Sequence, residues 1–215
     1  MRLNQFLAKT TDLSRRGADQ AIDEGRVLVN DKKPDKGQSV TETDIVKLDD
    51  KVLSSEVKTQ TILLNKPYGY VVSRDGQGSK TVYDLIPEEL SNLKPVGRLD
   101  RNSTGLLLMT NDGHLNQKLS HPSNNKLKVY NVKLDHNLSD EDKHKIEEGV
   151  FLDDGYSRLR LLGGQDKWQV TMSEGRNRQI RRTFDFLEYK VIKLHRVSFG
   201  DYRLGDQKIG DWIFV

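Results

Sequence analysis

Apolar residues near the start of the chain recur at helical spacing. Leu3, Phe6 and Leu7 would lie on one side of a first helix. Ser14 precedes a second helical pattern and can cap it, because its hydroxyl can accept a backbone N–H. Gly25 is placed to end that second helix. The pattern therefore predicts two short helices in the first 25 residues.

Short apolar runs separated by turns follow the two helices. The segment RVLVNDKKPDKGQSV predicts a strand and a turn, and DIVKL predicts another strand. These elements complete a small module over residues 1–48. The polar segment 49–60 is predicted to be a linker to the rest of the chain.

Residues 61–215 alternate between apolar strands and short amphipathic helices. The first predicted strand begins at TILLNKPYGYVVS and ends at Lys66-Pro67. The other predicted strands are GLLLMT, KLKVYNVKL, WQVTMSEG and the paired segment KVIKLHRVSFGDYRL. The predicted helices are HLNQKLSHP, which Pro122 would end, LSDEDKHKIEEG and NRQIRRTFDFLEY. Strands outnumber helices and many are joined by short turns. This favours an α+β domain built on a mixed, largely antiparallel sheet with flanking helices.

Composition narrows the class of protein only slightly. Charged residues make up 31% of the 215 residues, and a net charge of +3 with a pI of about 8.9 does not by itself indicate nucleic acid. The absence of cysteine excludes disulfides, thiol catalysis and cysteine metal sites. No apolar run is long enough for a signal peptide or a membrane span, so we expect a cytoplasmic protein without membrane contact.

The first module carries basic residues around the start of its second helix and its first strand turn. Residues 1–58 hold eleven basic and eleven acidic side chains, so charge alone leaves RNA binding and a plain adaptor equally open. The pattern L-x-x-F-L-A, S-R-R, A-I-x-x-G-R-V-x-V-N-x-K resembles the alpha-L RNA-binding module shared with ribosomal protein S-four. This resemblance implies RNA contacts by four residues, namely Arg15, Arg16, Arg26 and Lys32.

One aspartate stands in the polar segment GRLDRNSTGLLL, directly before an apolar strand. An isolated loop aspartate is usually a cap or a solvated charge. Here Gly97 and Gly105 allow tight turns on either side of Asp100, while Ser103 and Thr104 can hold the loop by hydrogen bonds. The strand that follows would give the carboxylate a rigid support. Asp100 is therefore the candidate reactive group.

This segment resembles the catalytic signature of pseudouridine synthases, in the branch with an N-terminal alpha-L module. The similarity extends to LNKPYGYVVS, KVYNVKL and SEGRNRQIRR, so four ordered motifs cover nearly the whole chain. It implies that Asp100 is a nucleophile in the isomerisation of a uridine, in which uracil leaves ribose, turns and reattaches through carbon five. Addition to the base and a glycal route both remain open, with family knowledge favouring the glycal. No metal and no small-molecule cofactor is implied.

Two further residues are assigned to the site by the resemblance. Tyr130 lies on a predicted strand, where the pattern alone favours a core tyrosine, but the family places its ring on the target uracil. Arg181 borders the apolar stripe of a helix that Asn177 would cap, and we predict that it pairs with Asp100. From the pattern alone, an ordinary basic helix face is the preferred interpretation of Arg181.

The remaining predicted contacts are with RNA. Arg98 resembles the family residue that fills the space left by a flipped nucleotide, with a surface phosphate contact as the alternative. Leu194 would lie beside the base or simply belong to the core. Three arginines near the last helix are predicted to hold phosphates, namely Arg176, Arg178 and Arg182.

Two other classes of protein compete with the enzyme. A non-catalytic RNA-binding or ribosome-assembly protein could keep the fold, but it would not need Asp100, Tyr130 and Arg181 together. An aspartate-dependent hydrolase such as a glycosidase needs a second carboxylate, and Asp112 is the nearby candidate, which a turn explains better.

The substrate class follows from the resemblance and not from any motif. SEGRNRQIRR favours large-subunit rRNA, with small-subunit rRNA as the alternative. The predicted partner is ribosomal RNA or a pre-ribosomal particle, and the protein is expected to act as a monomer. Which uridine is modified is not encoded in a readable pattern.

Overall fold

The computed structural model describes residues 1–54, 58–121 and 124–215. In the N-terminal module, two helices are followed by three short strands. In chain order these are α1 (Leu3–Thr10), α2 (Arg15–Asp23), β1 (Val27–Val29), β2 (Val46–Leu48) and β3 (Lys51–Leu53). The strands form an antiparallel sheet in the order β1–β2–β3.

The helices of this module begin and end as the sequence predicts. Ser14 caps α2, and its hydroxyl accepts the N–H of Gly17 at 3.0 Å. Gly25 follows the helix with φ +73°, a backbone conformation that glycine adopts easily at helix ends. Leu3, Phe6 and Leu7 are buried in a core of their own, separate from the cores of the second domain.

The segment 49–60, predicted to be a linker, contains a strand of the first module. β3, at residues 51–53, pairs with β2 and therefore extends the first sheet beyond residue 48. The prediction ignored that DDK forms a turn, in which Asp49 and Asp50 both adopt positive φ. Part of the predicted linker, residues 55–57, lies outside the described residues.

The second domain follows the predicted alternation of strands and helices. Its first half contains β4 (Thr61–Lys66), two 3₁₀ turns (Val82–Leu85 and Glu88–Leu90), β5 (Lys94–Pro95), β6 (Thr104–Thr110), α3 (Gly113–Ser120) and β7 (Lys128–Leu134). Its second half contains α4 (Asp140–Glu148), β8 (Val150–Leu152), β9 (Gly155–Ser157), β10 (Arg160–Gly164), β11 (Lys167–Met172), α5 (Gln179–Asp185), β12 (Val191–Phe199), β13 (Tyr202–Arg203) and β14 (Trp212–Phe214).

One large sheet organises this domain. Its strand order is β10–β11–β7–β12–β6–β4–β14, with β13 on β12 and β5 on β6. Within the described chain, β12 and β6 are parallel, and the other strand pairs of this sheet are antiparallel. The predicted α+β class with a mixed, largely antiparallel sheet is therefore confirmed.

The sheet is buried on both faces at its centre. Ile62, Leu64 and Leu107 belong to the larger core, whereas Leu63 and Leu106 belong to a second core that includes residues of α3. Burial on two faces explains why β6 contains the run GLLLM and β4 contains the run ILL, where an alternating pattern would place polar residues. These two strands form a rigid base for the loops at their ends.

Helix boundaries in this domain agree with the predicted caps, with one exception. Ser139 caps α4 and Gly149 follows its last residue, as predicted. α5, however, begins at Gln179, and its N-cap is Arg178 with φ +47°, so the prediction of Asn177 as the cap is wrong. α3 ends at Ser120, and Pro122, predicted to end it, lies outside the described residues.

Candidate active site

A cleft of about 430 Å³ opens above the central strands β7 and β12. Its lining includes the loop of residues 97–100, Tyr130 on β7, Leu194 on β12 and the turn of residues 173–178 before α5. The volume lies within the range of small-molecule sites. The fold therefore brings Asp100, Tyr130 and Leu194, predicted separately, into one cleft.

The loop that carries Asp100 is fastened from below by a buried lysine. Lys66, the last residue of β4, is fully buried. Its Nζ donates to the carbonyl oxygens of Pro67 at 3.1 Å, Asp100 at 3.1 Å and Ser103 at 2.7 Å. Three donors therefore meet three acceptors, and two of those acceptors belong to the loop that carries Asp100. Lys66 fixes the backbone of Asp100 while the carboxylate itself stays about one-third exposed.

Burial lowers the pKa of Lys66 to about 8, and the negative charge of Asp100 opposes that shift. The ammonium is nevertheless the form that supplies all three hydrogen bonds. The ordinary expectation for a lysine at a strand end is a solvated side chain, so this residue was missed at the sequence level. Its position in LNKPYG, directly after a run of buried residues, was the available signal.

The prediction that Arg181 pairs with Asp100 is wrong. Arg181 donates from Nη1 to the carbonyl of Val191 at 2.6 Å and from Nη2 to the carbonyl of Asn102 at 2.8 Å. Arg178 lies closer, with its Nη1 at 3.9 Å from the Asp100 carboxylate. The left-handed backbone at Arg178 turns this side chain toward the cleft, which a helix running from Asn177 would not do. Arg181 instead connects α5 to the loop that carries Asp100, through the carbonyl of Asn102.

One wall of the cleft is apolar. Tyr130 and Leu194 are both largely buried, at 8% and 7% exposure, and belong to the same core. They lie on adjacent antiparallel strands, where Arg196 is opposite Tyr130 and Leu194 is opposite Val132. The tyrosine is therefore both a core residue and a lining residue. An aromatic ring beside a carboxylate is suited to a planar base.

The rest of the cleft is predominantly basic. Exposed Arg98 and Arg178 line its mouth, and three further cations line its inner part, namely Lys126, Lys128 and Arg196. Arg196 was not singled out from the sequence, in which it lies within a predicted pair of strands. No sequence signal marked Lys126 or Lys128.

An acidic side chain also lines the cleft. Glu174 accepts from Gln179 at 2.6 Å and lies 3.3 Å from Arg176. The expectation that Asp112 is the only nearby second carboxylate was therefore incomplete. Asp112 itself caps α3, accepting the N–H groups of His114 and Leu115, which agrees with its prediction as a turn residue.

Besides Arg178, which lies beside Asp100, three predicted RNA contacts have acidic partners within the protein. Arg176 and Arg182 both bind Asp154, with donor–acceptor distances of 2.6–2.9 Å. Arg26 forms a two-pronged pair with Asp49 at 2.8 and 2.5 Å. These ion pairs compensate the charges of the three arginines, so they are less available to phosphates.

The other predicted contacts remain open to a ligand. Arg15, Arg16, Lys32 and Arg98 are exposed, and no ion pair involves them among the residues that the structure describes. Arg15 also lines a second cleft, which lies between the N-terminal module and α3. RNA contact by these four residues stays a prediction.

The part of the chain that the structure describes offers neither a metal-binding cluster nor a membrane-spanning helix. No three His, Asp or Glu side chains come together there as a group that could hold a metal ion. None of the helices in those ranges is long and apolar enough to cross a bilayer.

The comparisons with known proteins agree with this architecture. The family model of RNA pseudouridylate synthases matches residues 60–186, and the S4 domain model matches residues 1–46. The chain therefore belongs to the RNA pseudouridylate synthase family. It is a pseudouridine synthase with an N-terminal S4 domain, and the predicted enzyme class is confirmed.

Individual relatives match over nearly the full length. An uncharacterized RNA pseudouridine synthase of Aquifex aeolicus is 34% identical, with 99% of this chain and 89% of the relative covered. Ribosomal large subunit pseudouridine synthase B of Bacillus subtilis is 35% identical, with 98% and 90% covered. A crystal structure of a pseudouridylate synthase superposes with a TM-score of 0.72 at 30% identity, covering 100% of this chain and 96% of that one.

Proposed function

We propose that this enzyme converts one uridine of large-subunit ribosomal RNA into pseudouridine, with Asp100 as the nucleophile. The observation that carries the proposal is the placement of Asp100, a partly exposed carboxylate whose backbone is fixed by buried Lys66. Relatives named ribosomal large subunit pseudouridine synthase support the substrate class.

The residues of the cleft have complementary roles in this reaction. The bond between N1 of uracil and C1′ of ribose breaks, the base turns, and a bond from C5 to C1′ forms. C5 loses a proton and N1 gains one. Asp100 is the nucleophile if it adds to the base. On the glycal route its carboxylate instead takes the C2′ proton as uracil leaves and returns it when C5 bonds to C1′. The Tyr130 ring packs on the uracil, and Arg178 supplies positive charge beside the carboxylate.

The target nucleotide must leave its stack to reach Asp100, since the carboxylate lies inside a cleft. Unstacking costs about a few kcal/mol, so contacts to flanking RNA must offset it. Arg98 at the mouth of the cleft fills the space of the flipped nucleotide, and Arg15, Arg16 and Lys32 contact phosphates. We further propose that the enzyme is a cytoplasmic monomer and needs no cofactor. Its substrate is rRNA, either alone or within a pre-ribosomal particle.

Substitution of the nucleophile tests the proposal directly. Asp100→Asn should abolish tritium release from large-subunit rRNA transcripts labelled at C5 of uridine, while RNA binding stays within about threefold of wild type. Asp112→Asn is the matched control, because asparagine also caps helices well and activity should persist. Activity in Asp100→Asn would contradict the proposal, as would wild-type activity on small-subunit rRNA alone.

A further inference from the structure

The inner part of the active-site cleft contains two cations that the proposed chemistry does not use. Arg196 is only 2% exposed, yet it lines the cleft. Its Nε donates to the carbonyl of Leu106 at 2.7 Å, whereas its buried Nη2 has no hydrogen-bond partner among the described residues. A buried donor without a partner is costly and calls for an acceptor that a ligand could supply.

The second cation is Lys128, at the start of β7. Its Nζ lies 5.4 Å from the centre of the Phe199 ring, and the guanidinium of Arg196 lies 5.0 Å from that same centre. Two like charges therefore face one aromatic ring. Burial lowers the pKa of Lys128, and the neighbouring charge of Arg196 adds to that effect.

Neither cation forms an ion pair with an acid in the part of the chain that the structure describes, although the Glu174 carboxylate attracts Lys128 from a greater distance. No Asp or Glu oxygen lies within 4.0 Å of Arg196 or Lys128 there. Lys128 binds the backbone carbonyl of Glu174 at 3.2 Å, while the Glu174 carboxylate is engaged by Gln179 and Arg176. Half-buried positive charge without a counter-ion indicates that an anion completes the site.

The main chain is shaped to bring Arg196 to this place. Gly105 on β6 lies next to Arg196 in the parallel pair of strands, and a Cβ at Gly105 would come within 2.2 Å of the Arg196 carbonyl oxygen. Across the other edge of β12, Arg196 is opposite Tyr130. The guanidinium therefore lies on the same part of the sheet as Tyr130, which belongs to the apolar wall of the cleft.

We propose that Arg196 and Lys128 form a phosphate site which holds a backbone phosphodiester of the RNA next to the everted uridine. This inference deepens the proposed function and rests on RNA being the substrate. An anchored phosphate inside the cleft would fix the ribose relative to Asp100 and would offset part of the cost of unstacking. The ligand is an anionic diester, for which a guanidinium and an ammonium are the natural partners.

Binding of a nine-nucleotide oligouridylate, measured by fluorescence anisotropy at several KCl concentrations, tests the proposal. In Lys128→Met, affinity at low salt should fall about tenfold, and the slope of log affinity against log salt should decrease by about 0.7, the value of one lost phosphate contact. Arg196→Gln should behave alike. Lys133→Met, on the same strand but outside the cleft lining, should match wild type in both.

Two further measurements make the result decisive. Arg196 is a core residue, so its variant must first pass a circular-dichroism melt; if it does not fold, Lys128→Met alone decides. Uridine should compete for wild type and Lys128→Met equally well, whereas uridine 5′-monophosphate should discriminate between them. A folded Lys128→Met with an unchanged salt slope, or with weakened uridine binding, would overturn the phosphate site. These binding measurements do not require turnover. Failure of the phosphate site can therefore be distinguished from failure of the enzyme to modify rRNA.

Discussion

At the scale of single residues, the site depends on side chains that hold the loop of Asp100 as much as on those that face the cleft. Lys66 donates to three carbonyl groups, two of them on the loop that carries Asp100. Arg181 reaches the same loop from the other side through Asn102. Asp100 is thus held by its backbone, which leaves its carboxylate open to substrate.

Replacement of Lys66 should therefore weaken both stability and activity. Lys66→Met keeps the length of the side chain but leaves three buried carbonyls without a donor, which we expect to cost about 2–4 kcal/mol. Turnover should fall about 100-fold, because the loop loses its support. Urea denaturation and tritium release measure the two effects. Lys118→Met, on the exposed face of α3, provides the control and should change neither.

The buried lysine also predicts a pH dependence of stability. Its pKa is about 8 in the folded protein and about 10.4 when unfolded, so the unfolded state binds more protons between these values. The contribution of Lys66 to stability should therefore rise as pH increases from about 8 to about 10. The difference in unfolding free energy between wild type and Lys66→Met isolates this term. A difference that shrinks with rising pH would contradict the assignment.

Arg181 is expected to act as a positioning residue. Arg181→Ala should reduce kcat about 100-fold for two reasons. α5 loses its hydrogen bond to the loop that carries Asp100, and a positive charge is removed from the neighbourhood of that carboxylate. Arg181→Lys can restore one of the two bonds and should recover part of the activity. The fold should remain intact by circular dichroism. Near-normal kcat in Arg181→Ala would remove the residue from the mechanism.

At the scale of elements, the junction of β6 and β12 holds the site together, since it joins the two halves of the large sheet. Gly105 has φ +101°, and any side chain there would collide with the backbone of Arg196. Glycine is needed at this position for close approach as well as for its dihedral angle. Gly105 lies within β6 and is paired with Lys66 and Arg196, so the tight turn predicted there is wrong.

Gly105→Ala should destabilise the protein by about 3 kcal/mol or more, because a left-handed backbone and a collision with β12 act together. Gly164→Ala is the matched control, since its added methyl would meet open space. Thermal melts of the two variants give the comparison. A similar small loss in both would show that the strands can separate at low cost.

At the scale of the whole molecule, the two modules meet through polar contacts. Lys94 donates to the carbonyls of Ala8 at 2.7 Å and Leu13 at 2.8 Å, and Arg74 lies 3.8 Å from Asp12. The hydrophobic core of the N-terminal module is separate from those of the catalytic domain. Since polar interfaces between domains usually permit relative motion, Lys94 is expected to fix the spacing between the RNA contacts and Asp100.

Loss of this contact should loosen the module without altering the chemistry. The chain has no cysteine, so spin labels on cysteines introduced at Lys36 and Leu162 report the distance between the modules. Lys94→Met should broaden that distance distribution and raise KM for rRNA about tenfold, with kcat within twofold. Lys118→Met again serves as the control. An unchanged distribution would refute this role for Lys94.

The sequence by itself determined the order of elements, the two-module organisation and the identity of Asp100 and Tyr130 as candidates. These features are local: a helix cap, an apolar strand or a motif can each be recognised within about fifteen residues. The end of the first module was harder to predict, because β3 is recognised as part of that module only through its pairing with β2.

Only the tertiary structure decided which charges face one another. The sequence could not distinguish Arg178 from Arg181 as the neighbour of Asp100, because one left-handed residue redirects the side chain. The sequence could not show that Asp154 forms ion pairs with Arg176 and Arg182. It also could not show that Lys66 donates a hydrogen bond to the backbone of Asp100. Ion pairs and buried donors join residues tens of positions apart, and their partners are fixed by packing and not by spacing along the chain.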